Sequence, residues 1–325
     1  MESDRFDEID LRLLHALEVD ARASFSRIAA VLGVSDQTVA RRFRRLRSEA
    51  GLRVVAVRCA AARPGIEHWL LRLRCTPDGA ATIAEALARR PDTSWIGLTS
   101  GGTEVACTTS MRTRVESDEL LLGKLPRTPH IVEIRAQQLL HRFFGGPSGW
   151  LAKSGALTVA EVAALAPEPR PHPGPAVISQ EDEALVAALE RDGRATFPEL
   201  QKATGRSESA VKRRLAQLVG SGAMYVDVEF DTERFGFRTA AMLGITAAPR
   251  SLKAVGAALA AHPEIAYAAA TTGPSNLMAV AVTRDTAHLY RYLSEGIGTL
   301  DGVEHVETMP FLRRVKQLTY RPFRG

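Results

Sequence analysis

A chain of 325 residues is long for one ordinary domain and leaves room for two to four. Hydrophobic content of 45% and charged content of 24% exclude a disordered or fibrous chain, and no run of about 18 apolar residues is present to span a bilayer. A formal net charge of +5 suits an anionic partner without naming one, and all but six of the 42 basic residues are arginine, so an arginine count alone carries little.

The first predicted element is an amphipathic helix from Asp7 to Asp20, with Ile9, Leu13, Leu14 and Leu17 inward. A short helix follows over Ser24 to Leu32, its apolar positions at Phe25, Ile28, Ala29 and Leu32. Gly33-Val34 reads as a tight turn and Ser35 as the N-cap of a third helix, whose anchor stripe is Val39, Phe43, Leu46 and Ala50. At about 100° per residue, Gln37, Arg41 and Arg44 point the other way, with Arg45 beside them. A short helix, a glycine turn and an arginine-faced helix form a helix-turn-helix, the unit that lays its second helix in a DNA major groove. Gly51 to Val57 alternates and is β-branched, a strand that serves as a wing or a connector.

A βαββαβ pattern comes next. Its strands are Trp69 to Leu73, Thr93 to Thr99, Glu104 to Thr109 and Ile131 to Leu140, and its helices Pro77 to Arg89 and Val115 to Leu125. Gly101-Gly102 turns the chain between the middle strands. This is a ferredoxin-like α+β sandwich with helices on one sheet face and the other face free to pair. Residues 146–177 carry one short helix near Leu157 to Leu165. The run from Pro167 to Pro175 is too proline-dense for helix or sheet and reads as a semi-rigid spacer.

The chain is then written a second time. A constant offset of 172 residues pairs Asp10 with Asp182, Arg22 with Arg194, Phe25 with Phe197, Gly33 with Gly205 and Ser35 with Ser207. It also pairs Arg41-Arg42 with Arg213-Arg214, Thr99 with Thr271, Gly101 with Gly273 and Leu140 with Leu312. The second recognition helix, Ser207 to Val219, is anchored by Val211, Leu215 and Leu218 and presents Ser209, Arg213 and Ala216, flanked by Lys212 and Glu208. It is the less basic of the two. The predicted elements after it are strands Ala240 to Thr246, Ile265 to Thr272, Asn276 to Thr283 and Val303 to Phe311, with helices Leu252 to Ala261 and Thr286 to Gly296.

The fold class is therefore α+β, with two winged helix-turn-helix domains alternating with two ferredoxin-like, ACT-like βαββαβ sandwiches. The expected boundaries are 1–60 and 178–235 for the helix-turn-helix domains, 61–145 and 236–325 for the sheet domains, and 146–177 for the linker.

Asp10-Leu11 with Leu14 and Leu17, Asp20-Ala21-Arg22, the Gly33-Val34-Ser35 turn, Val39-Ala40-Arg41-Arg42 and Phe235-Gly236 carry a resemblance. A helix-turn-helix, a connecting strand and a βαββαβ ligand domain resemble the Lrp/AsnC (feast/famine) family of bacterial transcription regulators, here with the unit present twice. The resemblance implies a DNA-binding protein whose sheet domains oligomerise, as a dimer or tetramer of chains, and that is modulated by an amino-acid-like effector. It implies effector binding near a G-x-x-D turn between the second and third strands. Here that turn reads Gly101-Gly102-Thr103-Glu104 and Gly273-Pro274-Ser275-Asn276, so both copies depart from the aspartate. The implied effector residues are Thr99, Gly101, Thr103, Glu104, Thr271, Gly273, Ser275 and Asn276. The glycines serve equally well simply to close a hairpin.

The function expected is sequence-specific binding of double-stranded DNA. Ser35, Gln37, Thr38, Arg41, Arg42, Arg44 and Arg45 form the first reading head and Ser207, Ser209, Lys212 and Arg213 the second. A competing reading is an enzyme, because two-domain proteins similar to this family decarboxylate sirohaem. That reading needs histidines and arginines converging in a sheet domain, and the candidates His68, His130, His141, His262, His288 and His305 show no cluster and no pairing at the offset. A third makes the chain an assembly partner of other regulators. No catalytic set, metal spacing or cofactor motif emerges. Cys59, Cys75 and Cys107 read as reduced, buried thiols, and the charged opening Met1 to Arg5 lacks an apolar signal segment, so a cytoplasmic protein is expected.

Overall fold

The structure is a computed structural model that describes residues 6–59, 66–111, 113–147, 149–167 and 177–319. The first repeat runs α1 (Glu8–Val19), α2 (Phe25–Leu32), α3 (Asp36–Glu49), β1 (Arg53–Arg58), β2 (Glu67–Cys75), α4 (Ala80–Ala88), β3 (Thr93–Thr99), β4 (Glu104–Met111), α5 (Arg114–Asp118) and β5 (Ile131–Phe144). After α6 (Val159–Leu165) the second runs α7 (Glu183–Arg191), α8 (Phe197–Thr204), α9 (Glu208–Gly220), β6 (Met224–Glu229) and β7 (Thr239–Ala247). It ends with α10 (Leu252–Ala261), β8 (Ile265–Thr271), β9 (Leu277–Thr283), α11 (Thr286–Arg291), β10 (Val303–Pro310) and β11 (Arg313–Lys316). No helix among the described residues is long and apolar enough to cross a membrane. The expected proline spacer lies, beyond Pro167, outside the described residues.

Domains that alternate along the chain sort by kind in space. Met1–Pro64 and Gly146–Gly236 form one compact unit, and Gly65–Gly145 and Phe237–Gly325 the other.

The first unit holds both helix-turn-helix domains. Local chemistry sets the ends of its helices. Asp7 and Asp10 exchange side-chain and backbone hydrogen bonds (3.1 Å each) in a capping box that opens α1. Ser24 caps α2, Gly33 closes it at φ +69°, and Ser35 Oγ accepts the Thr38 N–H (3.1 Å) to open α3. Gly205 and Ser207 repeat this between α8 and α9.

The strand expected as wing or connector joins the two copies. β1 pairs antiparallel with β6, from Arg53 opposite Glu229 to Arg58 opposite Met224. At the centre Val55 faces Asp227, its own counterpart at the 172 offset, so a pseudo-two-fold axis passes there. β6 lies in the second winged helix-turn-helix expected over 178–235 but has no strand range of its own among the sequence-based expectations, its Met224 to Glu229 carrying two acidic residues.

Part of the expected linker is packed structure. Leu151, Leu157 and Leu165 are buried, Arg12 pairs with Glu161 at 2.5 Å, and Arg27 Nη2 donates to the carbonyls of Ala164 and Ala166 (2.9 Å each). The Glu18 carboxylate accepts the Leu151 N–H at 2.9 Å, and His15 Nδ1 accepts the Leu157 N–H at 3.1 Å.

The second unit is a nine-stranded antiparallel sheet in the order β10-β7-β9-β8-β5-β2-β4-β3-β11. The sheet faces that the sequence left free to pair meet within this unit. Leu70, Ala106, Met242, Met278 and Met309 form a common core, in which Leu70 and Met242, and Ala106 and Met278, are counterparts at the offset. The last strand of each repeat crosses to the other. β5 runs past the expected Leu140 to pair with β8, His141 opposite Ala270, and β11 pairs with β3, Arg313 opposite Leu98. Because β11 continues β10, the two ends of the order are one chain segment and the ladder closes. The helix expected over 115–125 is regular only over Arg114–Asp118 and widens through Glu119–Lys124, where Gly123 and Pro126 weaken the α pattern.

Candidate nucleic-acid interface and effector turns

α3 stands on α1 and α2 through Val39, Phe43 and Leu46, all buried, and Phe25 packs on Phe43 with ring centroids 5.2 Å apart. The outward face carries Ser35, Gln37, Arg41 and Arg44, all exposed, with Thr38 half-buried beside its cap. Arg41 and Arg44 make no ion pair among the described residues, and Arg44 Nε reaches only the Ala40 carbonyl of its own helix (3.3 Å).

Arg42 and Arg45 depart from the expected reading head. Arg42 Nη1 bonds Asp7 (2.7 Å) and lies 3.0 Å from Asp10, and Arg45 bonds the other oxygen of Asp10 while its guanidinium rests on Phe6. Asp10 is fully buried, so its charge needs partners, and these two arginines are bound inward as its counter-ions. Asp182 repeats the arrangement in the second copy. Arg214 donates to both its oxygens (2.9 and 2.6 Å) and Arg206, from the turn before α9, approaches to 3.5 Å. Burial alone raises the Asp182 carboxyl pKa; the Arg214 guanidinium and the Ser179 N–H and O–H outweigh it and hold the group well below the carboxylate range.

On α9, Ser207, Ser209, Lys212 and Arg213 are all exposed. Lys212 is drawn to Glu208 at 2.5 Å and over the Phe197 ring, which leaves Arg213 as the outward cation without an ion pair among the described residues.

Asp20-Ala21-Arg22 and its copy act across the pseudo-dyad. Arg22 donates to the carbonyls of Gly193 and Ala195, and Arg194 donates to those of Ala21 (2.6 Å) and Ala23 (2.9 Å). Arg22 lies over the ring of Phe197 and Arg194 over that of Phe25, at 5.5 and 4.8 Å. The offset pairing of Arg22 with Arg194 was legible in the sequence; their reciprocal reach was not.

In the sheet unit the two glycine turns differ. Thr99 and Glu104 are buried, and Gly101 is exposed at φ +68°. Glu104 accepts from Arg72 Nε (2.7 Å) and Ser100 Oγ (2.7 Å), so it is already neutralised. Arg72 also donates to both oxygens of Glu307 (2.7 and 2.8 Å). Thr103 turns its hydroxyl onto the Ser100 carbonyl (2.8 Å). A cleft of about 190 Å³ opens beside this turn, with Arg74, Glu133 and Arg135 on its far wall. Sequence reading missed these residues because they lie on β2 and β5, remote from the turn in sequence.

At the second turn, Asn276 is tied to both backbone groups of Ala247 (2.7 and 2.9 Å), and Thr271 Oγ1 donates to the Ser275 carbonyl (2.8 Å). The Gln137 amide donates to the carbonyls of Thr272 (2.8 Å) and Ser275 (3.1 Å), and a Cβ on Gly273 would come within 2.9 Å of it. This turn is filled by side chains of the protein.

The six candidate histidines do not converge. His68 meets Ser110 (2.9 Å), His130 meets Thr76 (2.9 Å), His262 meets Tyr292 (3.0 Å), His288 meets Glu264 (3.2 Å), and His141 edges the Phe143 ring. None of them, His305 included, lines the cleft.

Comparison with known proteins follows the same division. The AsnC-type helix-turn-helix domain matches twice, at residues 6–47 and 180–219, and the Lrp/AsnC ligand binding domain matches residues 240–320. The HTH-type transcriptional regulator FL11 of Pyrococcus horikoshii is 29% identical over 144 residues, 44% of this chain and 95% of the relative. LrpA of the same organism, also an HTH-type transcriptional regulator, is 27% identical over 141 residues, 43% of this chain and all of the relative. The crystal structure of the siroheme decarboxylase NirDL superposes with a TM-score of 0.61 over 98% of this chain and 94% of that one, at 13% identity, a likeness of fold. Two helix-turn-helix matches at the repeat offset, relatives half as long and a ligand-domain match make the chain a tandemly duplicated member of the Lrp/AsnC family.

Proposed function

We propose that the protein is a sequence-specific DNA-binding transcriptional regulator in which one chain supplies both reading heads of an operator, with a small effector acting at the sheet unit. The observation that carries this reading is the outward face of α3, where Gln37, Arg41 and Arg44 stand exposed beside the Ser35 cap and the two arginines make no ion pair among the described residues. Gln37 and Thr38 read base edges near the helix N-terminus, and Arg41 and Arg44 contact phosphate or a guanine edge. Arg213, with Ser207 and Ser209, is a weaker head on the other side of the pseudo-dyad.

A gel-shift assay tests this directly. Replacing Arg41 and Arg44 together by Ala should cost at least tenfold in affinity and lower the salt dependence by about two phosphate contacts. Arg213→Ala should cost less. Equal losses from the two heads would refute the asymmetry, and no loss from the first would refute DNA reading by α3.

The enzyme reading draws on the fold likeness to the siroheme decarboxylase over nearly the whole chain. The named sequence relatives are transcriptional regulators, and the dispersed histidines supply no common site for that chemistry. Absorbance titration with sirohaem separates the two readings: a saturable spectral shift favours the enzyme.

A further inference from the structure

We propose that the cleft over the first glycine turn binds one small carboxylate anion per chain, received by Arg74 and Arg135. The proposal rests on the effector reading of that turn and narrows its chemistry.

Three carboxylates and three arginines meet at the cleft, and each carboxylate is already occupied. Glu104 and Glu307 sandwich Arg72, with charge-assisted contacts of 2.7 Å on each side. Glu133 is sandwiched in turn, 2.7 Å from Arg135 Nε and 3.1 Å from Arg74 Nη2. A ligand ammonium meets only carboxylates whose charge is already paired with a guanidinium, so it gains less there than an anion gains from the open arginine edges.

The donors are in the opposite state. Arg74 and Arg135 keep side-chain exposures of 61% and 48%, and among the described residues each gives one edge of its guanidinium to Glu133 alone. The remaining N–H groups of each fork suit the planar, two-oxygen geometry of a carboxylate. A cleft of about 190 Å³ is below the size of a drug-like pocket and suits a molecule of a few carbons.

The second turn cannot offer the same site. The counterparts of Arg72, Arg74 and Glu133 at the offset are Gly244, Thr246 and His305. The space beside that turn holds the Gln137 amide, and Asn276 is committed to Ala247. One chain therefore carries one anion site.

Calorimetry on the full chain tests this, with succinate, inorganic phosphate and leucine as probes. The expected result is succinate bound at one per chain, leucine without measurable heat, and a tenfold or greater loss of succinate affinity in both Arg74→Gln and Arg135→Gln. These side chains are exposed enough for both variants to fold, which a thermal melt checks, and Thr246→Ala should leave binding unchanged. Two equivalents per chain, preference for leucine, phosphate binding as well as succinate, no succinate binding, or unaltered arginine variants each overturn the proposal. Gel shifts without succinate test DNA reading separately, so the two ideas fail independently.

Discussion

Asp10 decides which arginines of α3 are available to a partner. Its side chain is fully buried, and Arg42 and Arg45 close around it. Removing the carboxylate leaves Arg42, whose side chain is 16% exposed, with the exposed Asp7 as its one remaining counter-ion among the described residues, so Asp10→Ala should cost about 3 kcal/mol in urea unfolding. Arg45→Gln is milder, because Gln217 stands at the same place in the second copy and accepts from Arg214 (2.7 Å). It should cost about 1 kcal/mol or less in stability and less than threefold in DNA affinity. A loss as large as that of Arg41→Ala would put Arg45 back on the DNA face.

At the scale of elements, the reciprocal arginines and the β1–β6 ladder hold the two reading heads together. Burial lowers the pKa of both Arg22 and Arg194, against the pull of Asp20 and Asp192, so these are half-buried charges held by carbonyl oxygens. Arg22→Ala and Arg194→Ala should each lower stability by about 2 kcal/mol, and the double variant should deviate from additivity because the two lie on one interface.

A second elemental feature gives a pH dependence. Burial, with the nearby Asp227 charge, pushes the Glu18 carboxyl from its ordinary 4.5 up to about 8, and burial lifts Asp227 to about 7. A carboxyl raised in the folded state contributes no penalty below its unfolded pKa and a growing one as pH rises through the folded value. Wild-type protein should therefore lose stability relative to Glu18→Gln between about pH 4.5 and 8, by on the order of 4 kcal/mol at the upper end. Denaturant midpoints across that range measure it; parallel curves would show Glu18 ionised throughout.

At the scale of the whole chain, duplication lets the two copies diverge while keeping one architecture. A homodimer must present two identical heads, whereas this chain carries Arg44 in one copy and Ala216 in the other. An imperfectly palindromic operator matches such a pair. Ala216→Arg should raise affinity for a symmetric operator and steepen its salt dependence by about one phosphate contact, which a salt series of gel shifts reads out. An unchanged slope would place α9 away from the DNA.

The sequence by itself carried the helices, their caps and the duplication, because these depend on neighbours a few residues apart and on a repeat without gaps. Ser24, Gly33 and Ser35 act within one turn of helix, and the Val39, Phe43, Leu46 stripe names its own buried face. Tertiary structure alone decided which charges stay free, since Arg42 and Arg41 are adjacent in sequence and the Asp7 and Asp10 carboxylates, some thirty residues away, separate their fates. It also decided that β1 meets β6, that the strand ends cross between repeats, and that one glycine turn keeps a cleft while Gln137 fills the other. Those outcomes depend on contacts between segments more than a hundred residues apart, for which periodicity and propensity hold no record.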